Sequence, residues 1–405
     1  MRVGVPTDAG EGTRPARTAR TTSRTTGRAS VRPAARRGAV AEVLVRSLSG
    51  AEMSADDLRD VAPDALHEAA AWHRVGPAVF LALSRITDDP ELLGRLGAAY
   101  NRQKMRQLRS LADLRTAGEA LTAAGVGWAL LKGAAVAQRW PRPDMREYYD
   151  LDLLVDRRRF STALDALADA GSLLVDRNWP LVRDQVRAEL TLQLPFGTGL
   201  DLHWDLVNSA PLRREFTFPT EELLERAVLL PVGSTEAPVL DPVDTLLHLG
   251  YHTTLSGGHR LLWLMDMASA CGDEPDWAVV HARARAYGVE LPLRLALDRA
   301  ARLFPLPAGA TRPVRRCATW RTVASVVDHV VPLPWTPGDR RTARIVYQNA
   351  RSTTARSLAA TCRDGLRRRG GPTGDLLETN PLHLAVPDTG ARAEYLAAVH
   401  ASTKP

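Results

Sequence analysis

The chain has 405 residues, 45% hydrophobic and 24% charged, with a formal net charge of +7. That length allows two or three domains with a sizeable core, and the lack of any run of about eighteen apolar residues argues against a membrane-spanning helix. Cys271, Cys317 and Cys362 are odd in number and widely scattered, which argues against a disulfide framework or a zinc site and fits a reducing cytoplasm.

Residues 1–38 are rich in Arg, Thr, Ala, Gly and Ser, with almost no large apolar side chains. Such a segment buries too little surface to offset its ordering entropy, so a disordered, Arg-rich tail is expected. Nine arginines stand there against only Asp8 and Glu11, and the tail therefore carries the whole formal charge of +7. The basicity thus belongs to the tail and not to a folded groove, which argues against nucleic acid as a partner. Arg36-Arg37 is not an export signal, because the following stretch carries Glu42 and Arg46 where an apolar region should be.

A helical region is expected over residues 39–116. Ser54 to Asp57 reads as a capping box, and Asp64 opens a helix carrying Leu66 and Ala70. His67-Glu68 is no zinc-protease motif, since Ala71 stands where the second His belongs. Ala98 to Ala124 reads as a long amphipathic helix with Met105, Leu108, Leu111, Leu114 and Leu121 on its apolar stripe.

Gly125-Val126-Gly127 ends that helix and releases a strand, Trp128 to Leu131, that stops at Lys132-Gly133. A short helix, Ala134 to Arg139, follows, and then a loop enforced by Pro141 and Pro143 that carries Arg146 and Glu147. Asp150-Leu151-Asp152-Leu153-Leu154-Val155 alternates acidic and apolar residues, the pattern of a half-buried strand. Residues two apart share a face, so Asp150 and Asp152 point together while Leu151, Leu153 and Val155 point into a core. Two like charges beside a core are costly unless a cation lies between them, and hard oxygen ligands suggest Mg²⁺. An edge strand with two charges on its wet side would give the same pattern.

Asp156 caps a helix, Arg157 to Ala170, that Gly171 closes. Leu190 to Leu194 and Gly199 to Leu206 read as strands, the second alternating Asp201, His203 and Asp205 with Leu200, Leu202 and Trp204. A short helix from Thr220 and a hairpin over 227–232 and 238–240 complete the expected core, residues 117–240. Asp241-Pro242-Val243-Asp244 starts a C-terminal helical region, 241–371, with Asp at the N-cap and Pro at N1. His248 and His252 are four apart on one helix face; with no third ligand evident, wall or core histidines are favoured over a metal pair. Residues 372–405 read as a turn-rich tail.

LLKGAAV, Arg146, DLDLLV, the helix ending at Gly171 and LDLHW occur in an order and spacing that resemble the nucleotidyltransferase superfamily that includes DNA polymerase β. The closer similarity is to a large bacterial branch of uncharacterised nucleotidyltransferase-like proteins, over roughly residues 117–266. The resemblance implies an α+β fold: a polymerase β-like nucleotidyltransferase core, a small mixed sheet with helices, flanked by N- and C-terminal helical regions. It implies metal-dependent transfer of a nucleoside monophosphate from an NTP to a hydroxyl or other nucleophile of a small molecule, peptide or protein. Asp150, Asp152 and Asp201 would hold two Mg²⁺ (or Mn²⁺) ions, with Asp201 also the general base. Lys132, the Gly133 turn and Arg146 would hold the triphosphate, and His203, His248, His252, Arg260 and Asp266 would line the acceptor side. Many superfamily members have Gly-Ser at the turn where this chain has Lys132-Gly133-Ala134.

Two alternatives differ in class. A binding protein that keeps the fold without turnover would be compatible with the missing Ser. A small-molecule phosphotransferase is suggested by Gly199 to His203 with Asn208, but that Asn stands two residues late and no Gly-rich phosphate loop precedes it.

Overall fold

A computed structural model describes residues 33–311, 318–331, 333–334, 341–368 and 380–402. Helices α1 (Pro33–Ser49), α2 (Pro63–His73) and α3 (Gly76–Leu83) form the N-terminal part, and α4 (Pro90–Ala123) runs from them into the core. The core follows as β1 (Trp128–Leu130), α5 (Lys132–Ala137), β2 (Asp150–Val155), α6 (Phe160–Asp169), β3 (Leu173–Leu174), α7 (Trp179–Gln185), β4 (Glu189–Gln193) and β5 (Gly199–His203). Short helices α8 (Ala210–Arg213) and α9 (Thr220–Glu225) lead to a hairpin of β6 (Val228–Val232) and β7 (Thr235–Val239). The rest is helical: α10 (Pro242–Leu255), α11 (Leu261–Cys271), α12 (Trp277–Ala286), α13 (Glu290–Ala300), α14 (Ala318–Val330), α15 (Arg341–Gln348), α16 (Thr354–Arg368) and α17 (Ala391–Ala401). The expected α+β class, a mixed sheet between helical regions, is what the chain adopts. No helix among the described residues is long and apolar enough to cross a membrane.

Among the described residues the sheet has seven strands in the order β3-β4-β5-β2-β1-β7-β6. β2 lies parallel to β5 and antiparallel to β1, and β4 is antiparallel to β5. Alternation decides which side each residue faces. Leu151, Leu153, Val155, Leu200 and Leu202 are buried in one apolar cluster with Phe160 and Leu167 of α6 and Tyr395 of α17. Each such side chain contributes about 1.5–3 kcal/mol through burial. Leu154, on the opposite face of β2, joins a second cluster formed largely by α1, α2, α3, α10, α11 and α13. The acid-bearing face of the sheet is therefore roofed by the two flanking helical regions.

Several local expectations need correction. The tail reading of 1–38 overlaps α1, which begins at Pro33; residues 1–32 lie outside the described ones. α4 starts at Pro90, capped by Asp89 through the Glu91 amide, and two residues of its expected apolar stripe, Met105 and Leu108, face solvent. Its inward face carries instead Gln103, Ser110, Asp113, Leu114, Ala117, Gly118 and Leu121. A Cβ at Gly118 would stand 2.7 Å from the Trp128 ring, so only glycine lets β1 approach this closely. Asp113 accepts the amides of Phe196 and Thr198 at 2.9 and 3.0 Å, pinning the turn that joins β4 to β5. The tail reading of 372–405 fails over 391–401. There α17 packs against α6 and α7, and the Tyr395 hydroxyl donates to Arg187 O at 2.7 Å while accepting from Trp204 Nε1 at 3.0 Å. Amphipathic pattern alone is a poor guide where a helix meets a half-polar surface.

Candidate active site

The pairing register brings the acids together. Asp152 of β2 lies directly beside Asp201 of β5, which lies beside Thr191 of β4; Asp150 pairs with Gly199. Asp150, Asp152 and Asp201 therefore share one face of two neighbouring strands, as parity requires. His203 and Glu189 form the next pair along the same face. β1 ends against them at the Lys132-Gly133 turn, where Gly133 takes φ +39° and ψ −112°. The positive φ is what calls for glycine there; a Cβ would stand 3.4 Å from Asp150 O, no closer than ordinary contact.

The carboxylates differ in environment. Asp152 is buried, with one oxygen 2.6 Å from Lys132 Nζ and 3.2 Å from His203 Nε2. Burial pushes its carboxyl up, but Lys132 and the His203 hydrogen bond outweigh burial and hold it well below the usual carboxylate range. Lys132 and His203 respond in kind: burial works against their charge, yet Asp152 holds both above their ordinary values. Asp150, at the open mouth, is raised by the protein crowding it and by Asp152, with Lys132 and Arg74 pulling the other way. Asp201 accepts from the Thr191 hydroxyl at 3.0 Å, and its carboxyl is pushed up to about 7, first by burial, then by Glu189 and Asp152. Glu189 was not among the expected site residues. Its alternation with Thr191 and Gln193 against Leu190 and Leu192 was the available signal.

α10 crosses above this face. His248 is held far below its ordinary pKa, and His252 is lowered to about 3, in both cases by burial and then by Lys132, so both rings are neutral. His248 lines a small cavity with Lys132, and both rings feel the charges of Lys132 and Asp152. Arg146 and Asp266 occupy other roles than expected. Arg146 Nε and Nη2 donate to the two Asp266 oxygens at 2.7 Å each, and Trp140 Nε1 donates to the same carboxylate at 2.9 Å, all buried. Arg146 is thus a clamp between the β2 loop and α11, committed to a carboxylate instead of free for phosphate. Arg260 makes no ion pair with Asp266. It stacks over Trp72 and Trp263, at 5.9 and 5.4 Å from the ring centroids.

The donor set suits a hard divalent cation in kind: only carboxylate oxygens, with two of the three carboxyls raised first by burial and then by neighbouring acids. In the placement seen, no three His, Cys, Asp or Glu side chains among the described residues converge closely enough to grip a metal. Lys132 and His203 hold the Asp152 oxygen that such a site needs, so a metal would have to displace the Lys132 ammonium.

Residues 59–305 match the model of a family described as uncharacterised nucleotidyltransferase. Comparison with curated proteins returns no match. Among solved structures, the chain is similar to an antigenic nucleotidyltransferase-like protein from Paracoccidioides brasiliensis, with 14% identity over 50% of this chain and 96% of that one, at a TM-score of 0.30. Agreement that loose bears on neither fold nor function.

Proposed function

Since the chain belongs to the family of uncharacterised nucleotidyltransferases, we propose that it transfers a nucleoside monophosphate from an NTP to a nucleophile on an acceptor, and that the reaction depends on Mg²⁺ or Mn²⁺. The observation that carries this reading is the register that sets Asp150, Asp152 and Asp201 on one face beside the Gly133 turn. Asp150, Asp152 and Asp201 would hold the cations, which when bound there polarise phosphate oxygens and neutralise the leaving pyrophosphate. Asp201, its carboxyl near 7, can take the proton of an attacking hydroxyl on a carboxylate oxygen at neutral pH. Lys132, once released from Asp152, is a mobile cation within reach of a phosphate chain. Neutral His248 and His252 offer hydrogen bonds without adding charge.

One observation favours a second reading, a nucleotide-binding protein without turnover: Lys132 already neutralises Asp152, and the acids do not converge on a common point. Incubation with α-labelled and γ-labelled NTPs, Mg²⁺ and a panel of hydroxyl acceptors separates the cases. Label from the α-position on an acceptor, with pyrophosphate released and both lost in Asp201→Asn, is the expected result. Transfer of the γ-label would make the protein a phosphotransferase, and NTP binding without any transfer would leave the binding reading.

A further inference from the structure

Beside the acids stands a wall of arginines and aromatic rings that the reaction outlined above does not use. Arg74, in a left-handed turn (φ +56°) at the end of α2, lies over the Tyr149 ring with its guanidinium carbon 4.7 Å from the centroid. Arg106 covers the same ring at 4.2 Å, and Arg260 stacks on Trp72 and Trp263. The nearby carboxylate, Glu147, is already engaged, by Arg106 at 3.5 Å and by the Tyr149 hydroxyl at 2.5 Å. Neither Arg74 nor Arg260 makes an ion pair or a side-chain hydrogen bond with any described residue. Arg260 Nε and Trp72 Nε1 are buried without a hydrogen-bond partner.

Two guanidinium groups without an ion-pair partner among the described residues repel each other, and burial and then Arg74 weaken the hold of Arg260 on its proton, with Tyr149 and Glu147 pulling the other way. Stacking on a ring offsets part of that cost and leaves the N–H edges unused. The wall borders the acids directly: Tyr149, the ring under Arg74, precedes Asp150 in the chain. A ligand satisfying both sides carries several negative charges on oxygens spaced along a chain.

We propose that Arg74 and Arg260, backed by Tyr149, Trp72 and Trp263, form an anion site that holds a phosphate chain next to Asp150. On the nucleotidyltransferase reading, on which this inference rests for its substrate, the chain is the triphosphate of the NTP, gripped from the helical flanks and not by Arg146. A phosphorylated acceptor would present the same chemistry.

The test is calorimetric titration of the full-length protein with inorganic tripolyphosphate in EDTA. The probe has no nucleoside and cannot turn over, so it reads the wall apart from the reaction. Arg260→Gln and Arg74→Gln should each weaken binding by about tenfold to a hundredfold, the size of a charge-assisted hydrogen bond. Arg260→Lys should recover part of the loss, and Arg115→Gln, on an exposed turn of α4, should change nothing. Melting temperatures of all four variants check that each is folded. Displacement of tripolyphosphate by a non-hydrolysable NTP assigns the wall to the nucleotide; simultaneous binding assigns it to a phosphorylated acceptor. Tripolyphosphate affinity unchanged in Arg260→Gln and Arg74→Gln, or lowered equally in Arg115→Gln, overturns the proposal. Failure of nucleotidyl transfer with tripolyphosphate binding intact would count against the reaction and leave the wall standing.

Discussion

Exchanging Asp152 for asparagine removes a charge and almost no volume, so its effect reads the electrostatics of the site directly. From the strand pattern alone, two acids side by side repel, and deleting either should leave the fold unharmed. The structure reverses that for Asp152. Its side chain is 4% exposed and holds Lys132, 20% exposed, at 2.6 Å. Removing one partner of a buried pair costs about 3–5 kcal/mol, and the residual exposure of Lys132 points to the lower end of that range. Asp150→Asn should act with the opposite sign, because its carboxyl is raised by crowding and by Asp152, and deleting it relieves repulsion. The pH dependence follows from the lowered Asp152 carboxyl. Its contribution is present in full above its unfolded value of 3.8 and is lost as pH falls through the lower folded value, so wild type and Asp152→Asn should converge in acid. Urea denaturation in EDTA at pH 8 checks both signs. An Asp152→Asn protein as stable as wild type, or an Asp150→Asn protein less stable, would refute the pairing of Lys132 with Asp152.

Two further outcomes follow from the same geometry. Arg146→Met should lower the urea midpoint by an amount equivalent to about 3–5 kcal/mol, because it leaves the Asp266 carboxylate, 1% exposed, without its cation and with the Trp140 Nε1 hydrogen bond alone; a variant of normal stability that has lost NTP affinity would restore Arg146 as a phosphate ligand. Asp201→Asn should stabilise the metal-free protein, since a carboxyl raised to about 7 favours the neutral form in the folded state. That gain should be absent below about pH 4, grow as pH rises, and level off above pH 7, which denaturation across that range would measure.

What the sequence determined by itself is the part of the site written in short periods. A two-residue alternation over Asp150 to Val155 and over Gly199 to His203 commits the acids to one face and the leucines to the other, whatever the strands pair with. Caps and turns are equally local: Asp241 accepts the Asp244 amide at 2.7 Å, and Gly133 supplies the positive φ at the end of β1. Tertiary structure alone decided which charges meet. Nothing in the spacing of Arg146 and Asp266, 120 residues apart, says that they pair and that Arg260 does not. Ion pairs are chosen by the packing of α11 on the β2 loop, a property of three dimensions. The same holds for Glu189, which joins the acids only because β4 pairs with β5 in this register, and for Arg74, which reaches Tyr149 only once α2 is packed against α4. Periodicity encodes a face; only the assembled helices supply the neighbours that set each charge on that face.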